Sequence, residues 1–115
     1  MKRCIFGPGV LKALKAMPTD VKAAFGFALH IAETGGKAAA AKPLKGLGSG
    51  VMEVVEDHDG DTWRAIYTVR FPSGVYVLHV FQKKSKTGIA TPKHEIDTIR
   101  ERLKWAQEMD RQFPT

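Results

Sequence analysis

The sequence predicts an α+β domain in the order β-α-α-β-β-β-α, a small antiparallel sheet with its helices packed on one face. Three observations predict it. Apolar residues recur at helical spacing in two early segments and again near the end of the chain. Between them, three runs from Val51 to Gln82 have strand character. The connections between those runs are short, which makes the strands an antiparallel meander.

Lys2 to Phe6 alternates weakly and stops at Gly7-Pro8, a short first strand. Val10, Leu11, Leu14 and Met17 recur at helical spacing until Pro18 ends the helix. A second helix starts at Thr19 or Asp20 and carries the stripe Val21, Ala24, Phe25, Ala28, Leu29. Gly35-Gly36 closes it. Lys37 to Gly50 is rich in Ala, Lys and Gly; part of it extends the helical reading and its end is a loop. The strands are Val51 to Val55, Thr62 to Phe71 and Val75 to Gln82. The acidic stretch Glu56 to Asp61 joins the first two, and Pro72-Ser73-Gly74 is a tight turn between the last two. Val75 to Phe81 is almost wholly apolar and reads as the central strand. Lys83 to Ala90 is a polar loop. Thr91-Pro92 then opens a last helix with Ile96, Ile99, Leu103 and Ala106 inward and Trp105 and Met109 flanking.

The 115 residues suit one domain, 1–115, burying roughly two thirds of the unfolded surface. One cysteine, Cys4, excludes an internal disulfide and reads as a small buried hydrophobe. No apolar run approaches the roughly 20 residues of a membrane span, and a cytoplasmic protein is expected. The net charge of +6 favours an anionic partner. The charge is also segregated. Residues 1–50 hold eight Lys/Arg against two Asp/Glu, residues 53–61 hold five acids and no base, and residues 83–104 hold seven bases against three acids.

With helices on one face, the other face of the sheet is left for a site. In Thr62 to Phe71, Arg64 shares a face with Ile66, Thr68 and Arg70, opposite Trp63, Ala65 and Tyr67. A guanidinium in a small sheet must reach water, an acid or an anionic ligand. Arg64 therefore either pairs with Glu53 across the strands or binds an anion. In the next strand Val75, Val77, His79 and Phe81 share a parity that Lys83 continues. The Lys83-Lys84-Ser85-Lys86 run is a solvated loop or a set of phosphate contacts, and Lys45 is an exposed lysine in its glycine loop. His79 is either hydrogen-bonded structure or a proton carrier. The spacing of the four histidines matches no zinc pattern, and no cofactor is expected.

Five segments in order resemble the phage-derived, HigB-like branch of the RelE/ParE toxin superfamily. They are Leu44-Lys45-Gly46-Leu47, Gly50 to Val54 with Glu53, Trp63-Arg64-Ala65-Ile66-Tyr67, Val77 to Lys84, and Thr91 to Ile96. The resemblance covers about residues 44–105 and implies a RelE-like fold. It also implies a toxin of a type II toxin–antitoxin system: a ribosome-dependent mRNA endonuclease, needing no metal, neutralised by a helix-turn-helix antitoxin. Arg64 matches the family's strand arginine, the phosphate stabiliser. Lys83 or Lys84 matches the basic position at the end of the last strand. Tyr67 matches a family tyrosine but faces away from Arg64 and is structural. The sequence departs from better-known members, which carry strand lysines where Glu53 and Val55 stand and a tyrosine near the C-terminus. Glu53 and His79 are then the candidates for proton transfer, with Lys45, Lys86 and Lys93 as RNA contacts. Two other readings remain: a ParE-type inhibitor of DNA gyrase, and a non-catalytic RNA-binding phage-derived protein.

Overall fold

β5, Val75–Lys83, is the most apolar strand, and the reason is visible in what covers it. In the computed structural model, which describes residues 1–83 and 91–113, its side chains face two separate cores. Val75, Val77 and Val80 meet helices α1 (Val10–Lys15) and α2 (Thr19–Glu33). Tyr76, Leu78 and Phe81 meet helix α3 (Lys93–Gln112). The α+β class holds, but the expectation of helices on one face does not. An uninterrupted apolar strand needs cover on both sides, and α3 supplies the second.

The sheet has five strands in the order β1-β5-β4-β3-β2. β1 is Cys4–Phe6, β2 is Ala41–Pro43, β3 is Val51–His58 and β4 is Asp61–Thr68. The β2–β5 pairings are antiparallel, while β1 runs parallel to β5, so the sheet is mixed rather than wholly antiparallel. The centre is β4, with β5 beside it. β2 falls in the Ala/Lys/Gly stretch read as helix or loop. Its extended form follows from Pro43, which disfavours helical backbone at Lys42, and from pairing to β3.

Of the acidic stretch, Glu56, Asp57 and His58 lie within β3 and Asp61 opens β4, so only Asp59-Gly60 turns. Both have positive φ (50° and 82°), as a two-residue hairpin with strand-like twist requires. The connection from β4 to β5 is six residues, Val69 to Gly74, rather than a tight turn. It is long enough for the Ser73 N–H to donate to Asp110 on α3 (3.0 Å) and for the Ser73 hydroxyl to meet the Tyr76 hydroxyl (2.6 Å). Pro18 and Pro92, rather than Thr19 and Thr91, hold the N-cap positions of α2 and α3. Among the described residues no helix is long and apolar enough to cross a membrane.

Arg70 clamps the loop between β2 and β3. Its Nε donates to the Ser49 carbonyl (2.8 Å) and its Nη2 to the Leu47 carbonyl (2.6 Å). A Cβ on Gly48 would stand 2.6 Å from Nη2, so the close approach needs glycine there. Replacing Arg70 with alanine should lower stability by about 1–2 kcal/mol, because two carbonyls lose a charged donor. A denaturant midpoint identical to that of the parent chain would show that the loop holds itself.

Cys4 lies beneath α2, half-buried. Its N–H donates to Glu33 Oε2 (2.8 Å) and its Sγ is 4.0 Å from the Leu29 carbonyl oxygen. Burial, reinforced by the Glu33 carboxylate, pushes the thiol up to about 12. Only thiolate attacks disulfides, so Cys4 should react with a disulfide reagent at pH 8 about 10²–10³ times slower than in the unfolded chain. Equal rates would contradict the assignment. The fold favours the protonated thiol. Its stabilising contribution is therefore full below the ordinary value near 9.0 and declines as pH rises from there toward 12.

Candidate active site

The antiparallel register lays the α3 side of the sheet out in rows. Lys42, Glu53, Ile66 and His79 stand opposite one another across β2, β3, β4 and β5. The next row is Val55, Arg64 and Phe81, and the next Asp57, Thr62 and Lys83. Directly opposed residues share a face, so these side chains project from one side of the sheet. α3 covers Ile66 and Leu78 through Ile99 and Ala106, while Leu44 and Leu47 close the far end. Glu53, Val55 and Arg64 stand on this same face, toward the hairpin end of β3 and β4.

A β-bulge sets which β5 side chains arrive there. Ile66 pairs with His79 and Tyr67 with Val77, leaving Leu78 without a partner in the ladder. The extra residue reverses parity, so His79, Phe81 and Lys83 lie on the face opposite Val75 and Val77. The expectation that all five share a parity is corrected on this point. Without the bulge, His79 would point into the α2 core.

Two carboxylate-backed pairs result. Arg64 Nη1 donates to Glu53 Oε2 at 2.6 Å, reaching diagonally from the second row to the first. The side chains are 11% and 15% exposed, so the pair is largely sheltered and is not the open guanidinium expected. Arg64 Nε is buried with no partner among the described residues. One of five guanidinium N–H donors is engaged by Glu53, which leaves others for a ligand. The second pair is His79 Nε2 with Glu95 Oε1 at 2.9 Å, from β5 to the first turn of α3. In the tautomer where Nε2–H donates to Glu95, Nδ1 carries the lone pair. Phe81 links the pairs: it stands opposite Arg64 and stacks on the His79 ring at 4.9 Å.

The other residues singled out by sequence are dispersed. Lys83 stands on the Arg64 face, two residues past Phe81, and is 7% exposed rather than a solvated strand end. Lys84 and Lys86 lie outside the described residues. Lys45 is exposed in the loop between β2 and β3, outside the rows that hold Arg64 and His79. Lys93 is exposed at the start of α3 and paired to Asp97 at 3.0 Å. Tyr67 faces the α2 core, as its parity predicts, and burial raises its phenol above the ordinary value. Two residues of this face were not anticipated, one in the rows and one on α3. Lys42 is exposed opposite Glu53 and was hidden because β2 was not read as a strand. Glu95 is 16 residues from its partner His79, a separation that carries no local signal. Among the described residues, no group of three or more His, Cys, Asp and Glu side chains is placed to hold a metal ion.

A five-stranded sheet in an α+β fold thus carries an arginine and a histidine, each held by a carboxylate, on one face. The chain belongs to the phage-derived Gp49-like protein family (DUF891), whose model matches residues 12–104. That family is a RelE/ParE-like toxin family, consistent with a toxin of a toxin–antitoxin system. No curated protein matches the chain.

Proposed function

We propose that the chain is the toxin of a type II toxin–antitoxin system, of the HigB-like branch. In this reading it is a metal-independent endonuclease that cuts mRNA on the ribosome, in the cytoplasm, and a helix-turn-helix antitoxin neutralises it. The observation that carries the proposal is the nearness, across Phe81, of the Glu53–Arg64 pair and the His79–Glu95 pair on one sheet face.

The chemistry follows from what each pair can do. His79 Nδ1 takes the proton of a ribose 2′-hydroxyl, and O2′ forms a bond to the adjacent phosphorus. Negative charge builds on the non-bridging oxygens, and Arg64, aimed by Glu53, stabilises it. The P–O5′ bond breaks and O5′ takes a proton from water, leaving a 2′,3′-cyclic phosphate and a 5′-hydroxyl, while His79 releases its proton to solvent. Lys83 and Lys84 add positive potential at the end of β5, and Lys42, Lys45, Lys86 and Lys93 supply contacts along the RNA. The nucleophile belongs to the RNA itself, so the scheme assigns no task to a metal.

Induced expression of the chain should arrest growth and cut translated mRNA, and co-expression of a helix-turn-helix protein encoded beside it should restore growth. Arrest with intact mRNA and loss of DNA supercoiling would replace this reading with gyrase inhibition. Normal growth with RNA bound but uncut would replace it with a non-catalytic RNA-binding protein.

A further inference from the structure

We infer that a cleft at the free edge of β5, between α1 and α3, is a second phosphate subsite with Arg102 as its binding residue. It would take the phosphodiester adjacent to the one being cut. The inference rests on the endonuclease reading above and adds a residue and a position to it.

β1 pairs with β5 only over Val75 to Val77. Beyond that point the outer edge of β5 has no partner strand among the described residues. The chain entering α1 passes on one side of this edge and α3 on the other. Pro8, Gly9, Ala13, His79, Val80 and Arg102 line the cleft between them, about 170 Å³ in volume. At roughly 30 Å³ per water, that is room for about five or six waters. It is smaller than the 300 Å³ or more that a cofactor-sized ligand occupies, and large enough for one compact charged group. A Cβ placed on Gly9 would meet nothing within 4 Å, so this wall is open to an approaching ligand.

The charge of the cleft sets the sign of that group. Arg102 is half-buried, and its Nη1 donates to the Leu78 carbonyl at 3.0 Å. That carbonyl belongs to the bulge residue that the ladder leaves over. One donor is thereby used, and the remaining guanidinium donors have no acid within reach among the described residues. Arg64, Lys93 and Arg111, by contrast, each face a carboxylate: Glu53, Asp97 and Glu108. A partly desolvated guanidinium without a counter-charge, in a cleft of this size, favours an anion. His79 lines this cleft and also stands in the row beside Arg64. A strand with one phosphate at Arg64 can therefore pass His79 and meet Arg102 with the next. The shared histidine and the repeating charge favour RNA over an isolated acidic side chain of a protein partner.

The test uses a short RNA with 2′-O-methyl riboses, which cannot be cut, and reads its affinity for the full chain by fluorescence anisotropy over a range of salt. Arg102→Gln keeps an N–H for the Leu78 carbonyl and removes the charge; Arg102→Ala removes both, and melting temperatures report the fold. One phosphate contact to single-stranded nucleic acid contributes about 0.7 to the salt slope. Arg102→Gln should therefore bind more weakly, with a slope shallower by about 0.7 and an unchanged melting temperature. An unchanged slope, in a chain whose parent binds and cuts RNA, would overturn the subsite alone and leave Arg102 as a cap on the bulge. Loss of antitoxin affinity in Arg102→Gln with RNA affinity intact would also overturn it, giving the cleft to a protein carboxylate. A parent chain that does not bind the RNA would overturn both the subsite and the endonuclease reading.

Discussion

Arg64→Ala should abolish mRNA cleavage and also weaken the fold. On the proposed chemistry the guanidinium meets charge that exists only as the phosphorane forms, and losing one such contact costs about 10²–10³ in rate. The stability loss follows from burial. The Glu53 carboxylate is 15% exposed and Arg64 is its partner at 2.6 Å, so the variant leaves a sheltered anion uncompensated. Breaking a fully buried pair costs about 3–5 kcal/mol, and the residual exposure brings the expectation here to about 2–3 kcal/mol. An open-face arginine would have cost only a few tenths. The double variant Glu53→Ala, Arg64→Ala should regain part of that stability and none of the activity. The swap Glu53→Arg, Arg64→Glu keeps a pair while moving the guanidinium to β3; it should fold and remain inactive. If the swapped chain folds and stays toxic, Arg64 serves only to neutralise Glu53 and the site is wrongly placed.

His79→Ala should lower the cleavage rate by about 10²–10⁴, the range for a positioned proton carrier. Glu95→Gln keeps a hydrogen-bonding group at the first turn of α3 and removes the charge that orients the imidazole. It should reduce kcat with little change in KM, because the substrate touches His79 and not Glu95. Full activity in His79→Ala, with Arg64→Ala inactive, would remove the histidine from the mechanism and leave the arginine.

The bulge explains why this part of the site was only half legible in the sequence. Arg64 and Glu53 could be read because β3 and β4 pair in continuous register from Val51 to His58, so simple alternation places both on one face. In β5 the same alternation fails, since one extra residue at Leu78 sends His79, Phe81 and Lys83 to the side opposite Val75 and Val77. Nothing in Val75 to Gln82 marks the bulge, because Leu78 is as apolar as Val77 and Val80. The stripes of α2 and α3 were readable from helical spacing, and Ile96, Ile99, Leu103 and Ala106 all join the second core. The side of the sheet taken by α3 was not, although Tyr76 and Leu78, alternating with Val75 and Val77, already require cover on both faces. β2 escaped notice because three residues, Ala41–Pro43, carry no alternation, and with it went Lys42 in the row of Glu53. The partner of Arg102, a carbonyl freed by the same bulge, was beyond reach for the same reason.

The chemistry of the cut ends separates attack by the RNA's own 2′-hydroxyl from attack by water. Purified chain added to ribosomes translating a defined mRNA should release fragments whose 3′ side ends in a 2′,3′-cyclic phosphate, or the phosphate derived from it, and whose 5′ side begins with a free hydroxyl. Arg64→Ala and His79→Ala should release neither above background. Fragments carrying a 5′-phosphate would show that water, and not the RNA's own 2′-hydroxyl, attacks the phosphorus. That result, or uncut mRNA beside a chain that arrests growth, would contradict the account.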